Sequence, residues 1–156
     1  MNIAEIKTLI NMYIDKPFVE FEINKSIFDD KNGNKNFNKI IRDEVISNKY
    51  GIYVWENAGN KEIIYIGMAG KIKTNGEFVK HSVQKRLQAS RIKDENNKYI
   101  QTNVFVRNLM NKHNIEILNF YVFYTKDRIP PAYLEAILLY NFYKIKFRLP
   151  DYNNTF

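Results

Sequence analysis

Two short β-forming runs separated by a tight turn constrain this fold more than any other feature of the sequence. The runs span residues 50–55 and 62–67, and both are rich in isoleucine, tyrosine and other residues that favour strands. Between them, residues 56–61 contain two asparagines and a glycine, which adopt the positive φ angles of hairpin turns. The sequence therefore predicts a β-hairpin within a mainly antiparallel sheet.

The register of this hairpin decides which side chains share a face, because side chains alternate along a strand. With residues 58–60 as a three-residue turn, Tyr53 is predicted to lie opposite Tyr65, and Trp55 opposite Ile63. The other face is then predicted to carry the core residues Ile52, Val54, Ile64 and Ile66. The two tyrosine side chains are therefore expected side by side.

Helices and two further strands are predicted around the hairpin. Apolar spacing predicts helices at residues 3–13, 37–47, 79–92, 99–111 and 131–146, strands at 18–23 and 115–124, and loops at 29–36 and 68–77. The length of 156 residues fits one domain. We expect an α/β (α+β) domain over residues 1–156, in which an α-rich extension, 1–49, precedes a core, 50–154, with a three-stranded, mainly antiparallel sheet flanked by helices.

Composition narrows the partners and the metals. The 24 Lys and Arg residues against 17 Asp and Glu residues give a net charge of +7, which favours nucleic acid but also fits a solvated lysine-rich surface. Without cysteine, a metal would need oxygen or nitrogen ligands, which favours a hard cation. No stretch approaches about 20 apolar residues and no signal peptide is recognisable, so we expect a cytoplasmic protein without membrane contact.

Five elements in order carry a family resemblance. The hairpin contains Gly51-Ile52-Tyr53 and Tyr65-Ile66-Gly67, followed by Arg86-Leu87, by Glu135 and by Leu149-Pro150-Asp151-Tyr152-Asn153. This series resembles the GIY-YIG nuclease superfamily, and its long basic stretch before Arg86 is most similar to the restriction endonucleases of that superfamily. The N-terminal third of the chain is unmatched.

The resemblance implies a metal-dependent endonuclease that hydrolyses phosphodiester bonds in DNA. Tyr53 would contact the attacking water and act as its general base, and Tyr65 would position the phosphate or the water. Arg86 would hold the scissile phosphate. Glu135 would carry one Mg²⁺ or Mn²⁺ ion per active site to stabilise the leaving oxygen. Asn153 matches an asparagine near the metal, although the neighbouring asparagine leaves the register open.

A tyrosine base needs help, because the ordinary pKa of a phenol is about 10 and nearby positive charge is required to lower it. Candidate sources of that charge are Lys71, Lys73, Lys80 and Lys85, each of which also fits a solvated or phosphate-contacting lysine. With Arg91, the first three are also candidate DNA contacts.

A histidine one turn after the arginine, common in the superfamily, is replaced here by Ser90. His81 is a candidate replacement on the same predicted helix as Arg86. Five residues of helical rotation point the two side chains apart, however, and a capping or surface histidine is the alternative reading.

The helix that carries Glu135 is so apolar that we expect it to be covered on several sides, with Glu135 as a buried carboxylate held by a metal. The alternative is an exposed charge near the start of the helix.

Double-stranded DNA is the expected substrate, and restriction the expected role. The alternatives are a structure-selective repair or recombination nuclease, and a nucleic-acid-binding module that has lost catalysis. Because one active site cuts one strand per encounter, a homodimer is expected, with residues 1–47 as its interface. An intramolecular role in the core is the alternative for that segment.

Overall fold

A four-stranded antiparallel sheet forms the centre of the computed structural model, which describes residues 1–79, 81–93 and 96–153 and, for residues 90–92, only the backbone. The helices are α1 (Ile3–Ile10), α2 (Gly33–Glu44), α3 (Val83–Leu87), α4 (Thr102–Lys112) and α5 (Pro131–Lys146). The strands are β1 (Val19–Asn24), β2 (Gly51–Asn57), β3 (Ile63–Ala69), β4 (Lys71–Ile72), β5 (Phe78–Val79), β6 (Ser90–Lys93), β7 (Tyr99–Gln101) and β8 (Ile117–Tyr124). Two short 3-10 turns, Asn11–Tyr13 and Lys25–Phe28, follow α1 and β1.

The strand order in the sheet is β1-β8-β2-β3, and every neighbouring pair is antiparallel. The predicted α+β class is confirmed. The prediction of three strands was wrong, because the N-terminal extension adds β1 to the free side of β8, with Val19 opposite Val122.

The extension is packed into the domain. Ile6 and Ile10 of α1 are fully buried on one face of the sheet, and Phe37 and Ile41 of α2 are fully buried on the other. The apolar sides of its helices are therefore used within the chain, which favours the intramolecular reading of residues 1–47 over the predicted dimer interface.

The hairpin of β2 and β3 forms with a different register from the predicted one. Tyr53 lies opposite Gly67, and Trp55 lies opposite Tyr65. The turn is longer than predicted, because Lys61 adopts a left-handed φ of 59° and the Asn57 N–H bonds to the carbonyl of Glu62. The predicted pairing of Tyr53 with Tyr65 was therefore wrong by two residues.

A bulge in β3 completes the change of register. The partner of Trp55 is Tyr65 and the partner of Glu56 is Ile63, so Ile64 is an extra residue in its strand. Because the shift is two residues, both tyrosines still share a face, as predicted. The bulge moves Ile64 to that face and Ile63 to the opposite one, which corrects the prediction for Ile64.

The segment between β3 and α4 is less helical than predicted. Residues 68–77 contribute to a small hairpin of β4 and β5, and the helix predicted at 79–92 is reduced to α3. The last residues of that predicted helix form β6, and the first residues of the helix predicted at 99–111 form β7, which pairs with β6. Tertiary pairing here overrides a weak helical pattern. The predicted strand at 115–124 and the helix from Pro131 to Lys146 are confirmed, within two residues.

The sheet separates two apolar clusters. Tyr53 and Trp55 face α2, α3 and α4, whereas Ile52 and Val54 face α1 and α5. Helix α5 covers the sheet with only one side, which corrects the expectation that it is covered on several sides: Tyr133 and Tyr140 are exposed. Among the helices that the structure describes, none is long and apolar enough to cross a membrane.

Candidate active site

Tyr53 and Tyr65 lie in contact on one face of the β2-β3 hairpin, with ring centroids 5.9 Å apart. Gly67 makes this contact possible, because a Cβ atom built there would lie 2.7 Å from Tyr53 Cζ and 2.7 Å from Tyr65 Cε1. The Tyr53 ring therefore occupies the space that a side chain at its cross-strand partner would fill. A glycine is required at position 67 for the two hydroxyls to come together.

The hydroxyl of Tyr53 is the centre of a hydrogen-bond cluster. Its oxygen accepts hydrogen bonds from the Arg86 guanidinium and from the Tyr65 hydroxyl. Burial raises the pKa of Tyr53, and Arg86 opposes this by favouring the phenolate. Burial also raises the pKa of Tyr65, which the neighbouring Tyr53 raises further. Both phenols are therefore neutral near pH 7.

Arg86 is held by α3, which is only five residues long and is anchored to α2. Gln84 Nε2 donates to the carbonyl of Val45 at 2.7 Å, and Gln88 Nε2 donates to the carbonyl of Asn38 at 2.9 Å. The two glutamines are one helical turn apart and flank Arg86. Sequence reasoning missed them, although an i, i+4 pair of amides beside a candidate arginine is a visible signal.

The Arg86 guanidinium retains a free donor. Its Nε is buried and, among the residues that the structure describes, has no hydrogen-bond partner. A buried donor without a partner is costly, and an oxyanion is the ligand that best satisfies a guanidinium. Arg86 is therefore arranged to accept an anionic group such as a phosphate.

Glu135 brings a carboxyl group to the same cluster. It lies near the start of α5, which packs against β3, and its side chain is half-buried. Burial raises the pKa of Glu135 to about 7, and Arg86 acts in the opposite direction. Its charge also acts on Tyr53 and Tyr65, so the four side chains form one electrostatic unit.

Glu135 is the candidate metal ligand in this unit. In residues 1–79, 81–93 and 96–153, no three His, Asp or Glu side chains come together. A divalent ion held by Glu135 would take water and substrate oxygens among its other ligands. This donor set fits Mg²⁺ or Mn²⁺, since Mg²⁺ keeps several of its own waters when bound.

Asn153 lies beside the site and holds its edge strand. Its Oδ1 accepts from the N–H of Ile66 at 2.9 Å, and its Nδ2 donates to the carbonyl of Ile66 at 2.7 Å. The side chain thus pairs with the free edge of β3 between Tyr65 and Gly67. Asn153 contacts the strand that carries Tyr65, so it helps to position that strand in the site. Asn154 lies outside the described residues.

The remaining predicted residues surround the cluster less closely. Lys71 and Lys73 are exposed on the β4-β5 hairpin, and Lys73 pairs with Glu77 at 3.7 Å. Lys85 is exposed on α3. The positive charge that opposes the burial-driven rise in the pKa of Tyr53 is that of Arg86, to which the sequence analysis assigned phosphate binding alone.

His81 precedes α3 instead of lying within it, because the helix begins at Val83 with Ser82 as its N-cap. The prediction that His81 shares a helix with Arg86 was therefore wrong. Lys80 lies outside the described residues, and so does the side chain of Arg91.

The site combines four side chains from four elements: Tyr53 from β2, Tyr65 from β3, Arg86 from α3 and Glu135 from α5. Protein-family models, characterised proteins and solved structures were compared with this chain, and none matches it. The chemistry of these four groups is therefore the basis for a functional proposal.

Proposed function

We propose that this protein is a metal-dependent DNA endonuclease of the GIY-YIG type. The observation that carries the proposal is the convergence of Arg86, which has a buried unpaired donor, with two hydrogen-bonded tyrosines and a carboxyl whose pKa is about 7. Hydrolysis of a phosphodiester needs a bound phosphate, an oriented water and stabilised charge on the leaving oxygen. The cluster offers a group for each of these needs.

Arg86 binds the scissile phosphate in this proposal. A guanidinium donates two parallel hydrogen bonds to phosphate oxygens, and such charge-assisted bonds are strong in a partly buried site. Because α3 is tied to α2 through Gln84 and Gln88, the guanidinium is held before substrate arrives. A preorganised cation of this kind stabilises the negative charge of a phosphoryl transition state.

Tyr53 and Tyr65 orient the attacking water. Both lone pairs of the neutral Tyr53 hydroxyl are used by Arg86 and Tyr65, so its own O–H is left to donate to a phosphate or water oxygen. A phosphate that draws Arg86 away frees a lone pair of Tyr53 to accept a hydrogen bond from the water. Tyr53 is then placed to take the proton of the water while its own hydroxyl proton passes to the phosphate oxygen that it contacts, so the phenol stays neutral overall. In this way it fills the general-base role that the resemblance implies.

Glu135 holds the divalent ion. Its carboxyl is half-buried beside Arg86, with a pKa low enough for ionisation in mildly alkaline conditions and high enough for a strong interaction with a cation. A bound Mg²⁺ or Mn²⁺ would supply positive charge next to the departing oxygen. Glu135 itself fixes the position of that charge relative to Tyr53 and Arg86.

Double-stranded DNA is the proposed substrate, and a homodimer with two such sites is the proposed active form. The net charge of +7 and the exposed lysines of the β4-β5 hairpin support binding to a polyanion. Along the chain, that hairpin precedes α3 and the β6-β7 hairpin follows it, so the two hairpins flank Arg86 in the sequence. Two-stranded ribbons are one of the elements that enter a DNA major groove. Discrimination among base sequences would fall to these two hairpins.

The test is incubation of purified protein with several unmodified plasmids and with branched duplexes, with Mg²⁺, with Mn²⁺ and with EDTA. Discrete double-strand fragments that require a divalent ion support a restriction-type enzyme. Cleavage confined to branched or flapped duplexes would replace it with the repair-type reading. Salt-sensitive binding without any cleavage, in the presence of either metal, would contradict the nuclease proposal and leave a binding module.

A further inference from the structure

Helix α5 carries the largest group of exposed apolar side chains in the described part of the chain. Large exposed apolar residues between positions 133 and 147 are Tyr133 (46%), Tyr140 (54%), Tyr143 (53%), Ile145 (53%) and Phe147 (82%). Exposed apolar residues scattered singly are normal on a protein surface, but a contiguous group on one helix indicates a surface that another molecule covers. The opposite side of α5, with Leu134, Leu138 and Phe142, is already buried against the sheet.

Four of these residues form a regular stripe. With the exposed Ala136, the stripe runs Tyr133, Ala136, Tyr140, Tyr143 and Phe147, at alternating spacings of three and four residues. This is the spacing by which one helix packs against another at a shallow angle. The stripe is about 21 Å long, at 1.5 Å per residue. A second helix of similar length is therefore the occupant that fits it.

The stripe is complementary to itself when two copies of α5 run antiparallel. In such an antiparallel pair, Tyr140 of one copy lies opposite Ala136 of the other, and Tyr133 lies opposite Tyr143. The small alanine then leaves room for the large tyrosine ring, which is the alternation that close packing requires. Because the arrangement is two-fold symmetric, every contact occurs twice.

Charge also favours a second copy in the antiparallel direction. Glu135 is the one acidic residue of α5 and lies in its N-terminal half, whereas Lys144 and Lys146 lie in its last turn. A parallel pair would bring the lysines of both copies together, but an antiparallel pair separates them and brings each pair of lysines towards the N-terminal half of the other helix, which has no basic residue. The helix dipoles of an antiparallel pair are likewise favourable.

We propose that α5 pairs antiparallel with α5 of a second copy of this chain through the stripe Tyr133, Ala136, Tyr140, Tyr143 and Phe147. The expected homodimer interface thus moves from residues 1–47, whose apolar sides are packed internally, to α5. Glu135 follows Tyr133 by two residues on the same helix, a spacing that points its side chain away from the stripe. The association itself does not depend on the proposed nuclease function.

The oligomeric state of the protein in solution tests whether the stripe is a dimer interface. Light scattering and sedimentation of the full chain, over a range of concentrations, should show a monomer-dimer equilibrium. Tyr140→Lys should shift it to monomer, since it places a charge in the stripe. Tyr99→Lys is the matched control, because Tyr99 is a similarly exposed tyrosine (66%) outside the stripe, and it should dimerise like the parent protein. A parent protein that is monomeric at every concentration, or a Tyr140→Lys variant that dimerises normally, would overturn the proposal.

Cysteine cross-linking tests whether the two helices run antiparallel. Because the chain has no cysteine of its own, only the introduced residues can form a disulfide. In the proposed pair, position 133 of one copy faces position 143 of the other, whereas two copies of position 133 are about 15 Å apart along the axis. A disulfide needs Cα atoms within about 7 Å. Under oxidation, Tyr133→Cys and Tyr143→Cys should therefore cross-link when mixed and remain uncross-linked alone. Lys39→Cys, on the exposed side of α2, is the control for random collision.

Cross-linking of each single variant with itself, at a rate above that of Lys39→Cys, would indicate parallel pairing and overturn the antiparallel model. Neither assay uses cleavage. A dimer without nuclease activity would therefore contradict the proposed function alone, and a monomeric nuclease would contradict the interface alone.

Discussion

The sheet carries a tyrosine cluster with a nearby carboxyl on each of its faces, and the two clusters differ in which buried polar atom is left without a partner. On the face covered by α1 and α5, Glu56 is 1% exposed. Its Oε2 accepts hydrogen bonds from Tyr121 Oη at 3.0 Å and from Asn119 Nδ2 at 2.9 Å. Burial and the bond to Glu56 raise the pKa of Tyr121, so this phenol remains a donor.

On the other face lie Tyr53, Tyr65 and Arg86, and the half-buried Glu135 acts on them electrostatically from α5, which packs against the edge strand β3. This cluster contains a cation with a buried Nε that no group in the described residues satisfies, and a carboxyl that water can reach. In the Glu56 cluster both donors bond to the carboxylate, and the buried atom left without a partner in the described residues is an amide oxygen, Asn119 Oδ1. The cluster therefore offers no free donor, and it holds β2 to β8. The same residue types therefore serve structure where they satisfy one another and offer a binding site where a donor is left over.

The strongest way to break this comparison is to neutralise each carboxyl in turn. Glu135→Gln should abolish metal-dependent cleavage and leave duplex binding largely intact, because the ligand for the ion is lost but the basic surface remains. Glu56→Gln should retain cleavage and lower thermal stability. Plasmid cleavage, duplex binding by anisotropy and melting curves separate these outcomes. Full activity of Glu135→Gln would remove Glu135 from the site.

The two tyrosines offer the next largest contrast, because phenylalanine removes a hydroxyl and keeps the ring. Tyr53→Phe should lower turnover by about 10²–10⁴-fold, the usual contribution of a proton-transfer group. Tyr121→Phe should leave turnover unchanged and lower the free energy of unfolding by about 1.5–3 kcal/mol, the range for a hydrogen bond to a charged group. Single-turnover rates and urea denaturation measure the two effects. The comparison fails if Tyr53→Phe affects only stability.

Gly67→Ala probes the packing that joins Tyr53 to Tyr65. The new methyl group would lie 2.7 Å from Tyr53 Cζ, so the ring must move away from Arg86. We expect a loss of turnover of about 100-fold from misplacement of the hydroxyl, and a loss of stability of about 1–3 kcal/mol from overpacking. Gly59→Ala in the hairpin turn is the control, because its methyl group would meet only the flexible Asn57 side chain at 3.3 Å. Wild-type turnover in Gly67→Ala would mean that the position of Tyr53 does not matter.

The sequence predicted the long elements and a cluster of Tyr53, Tyr65, Arg86 and Glu135, whose side chains interact electrostatically in the structure, but it did not predict the details of strand pairing. Strand β8 and helix α5 are strongly patterned, and both were found where expected. The hairpin register was missed because it depends on the left-handed Lys61 and on the bulge at Ile64, neither of which has a residue-type signature. A two-residue error preserves the alternation of side chains, so the shared face of the tyrosines was still predicted correctly.

Other features of the site could not be read from the sequence because they depend on long-range contacts. The anchors of α3 are backbone carbonyls of α2, some forty or more residues earlier in the chain, which no local pattern reveals. The cluster at Glu56 was not predicted for the same reason, since its partners lie on β8. The exposure of α5 was also missed, because apolar composition alone does not distinguish a core helix from one with a second, open apolar side.

A pH titration of stability tests how far Glu135 is removed from water in the fold. Burial raises the pKa of this carboxyl from 4.5 to about 7 in the metal-free fold, so folding favours its protonated form. The stabilisation is complete below the unfolded pKa and is lost as pH rises through the folded pKa. The parent protein in EDTA should therefore lose stability relative to Glu135→Gln between pH 4.5 and about 7, because glutamine does not titrate.

Mg²⁺ should restore the lost stability of the parent protein above about pH 7, where it binds the ionised carboxylate. Melting temperatures of both proteins, with and without Mg²⁺, measure the effect, and a difference that stays constant across this range would mean that the Glu135 carboxyl is fully hydrated in the fold.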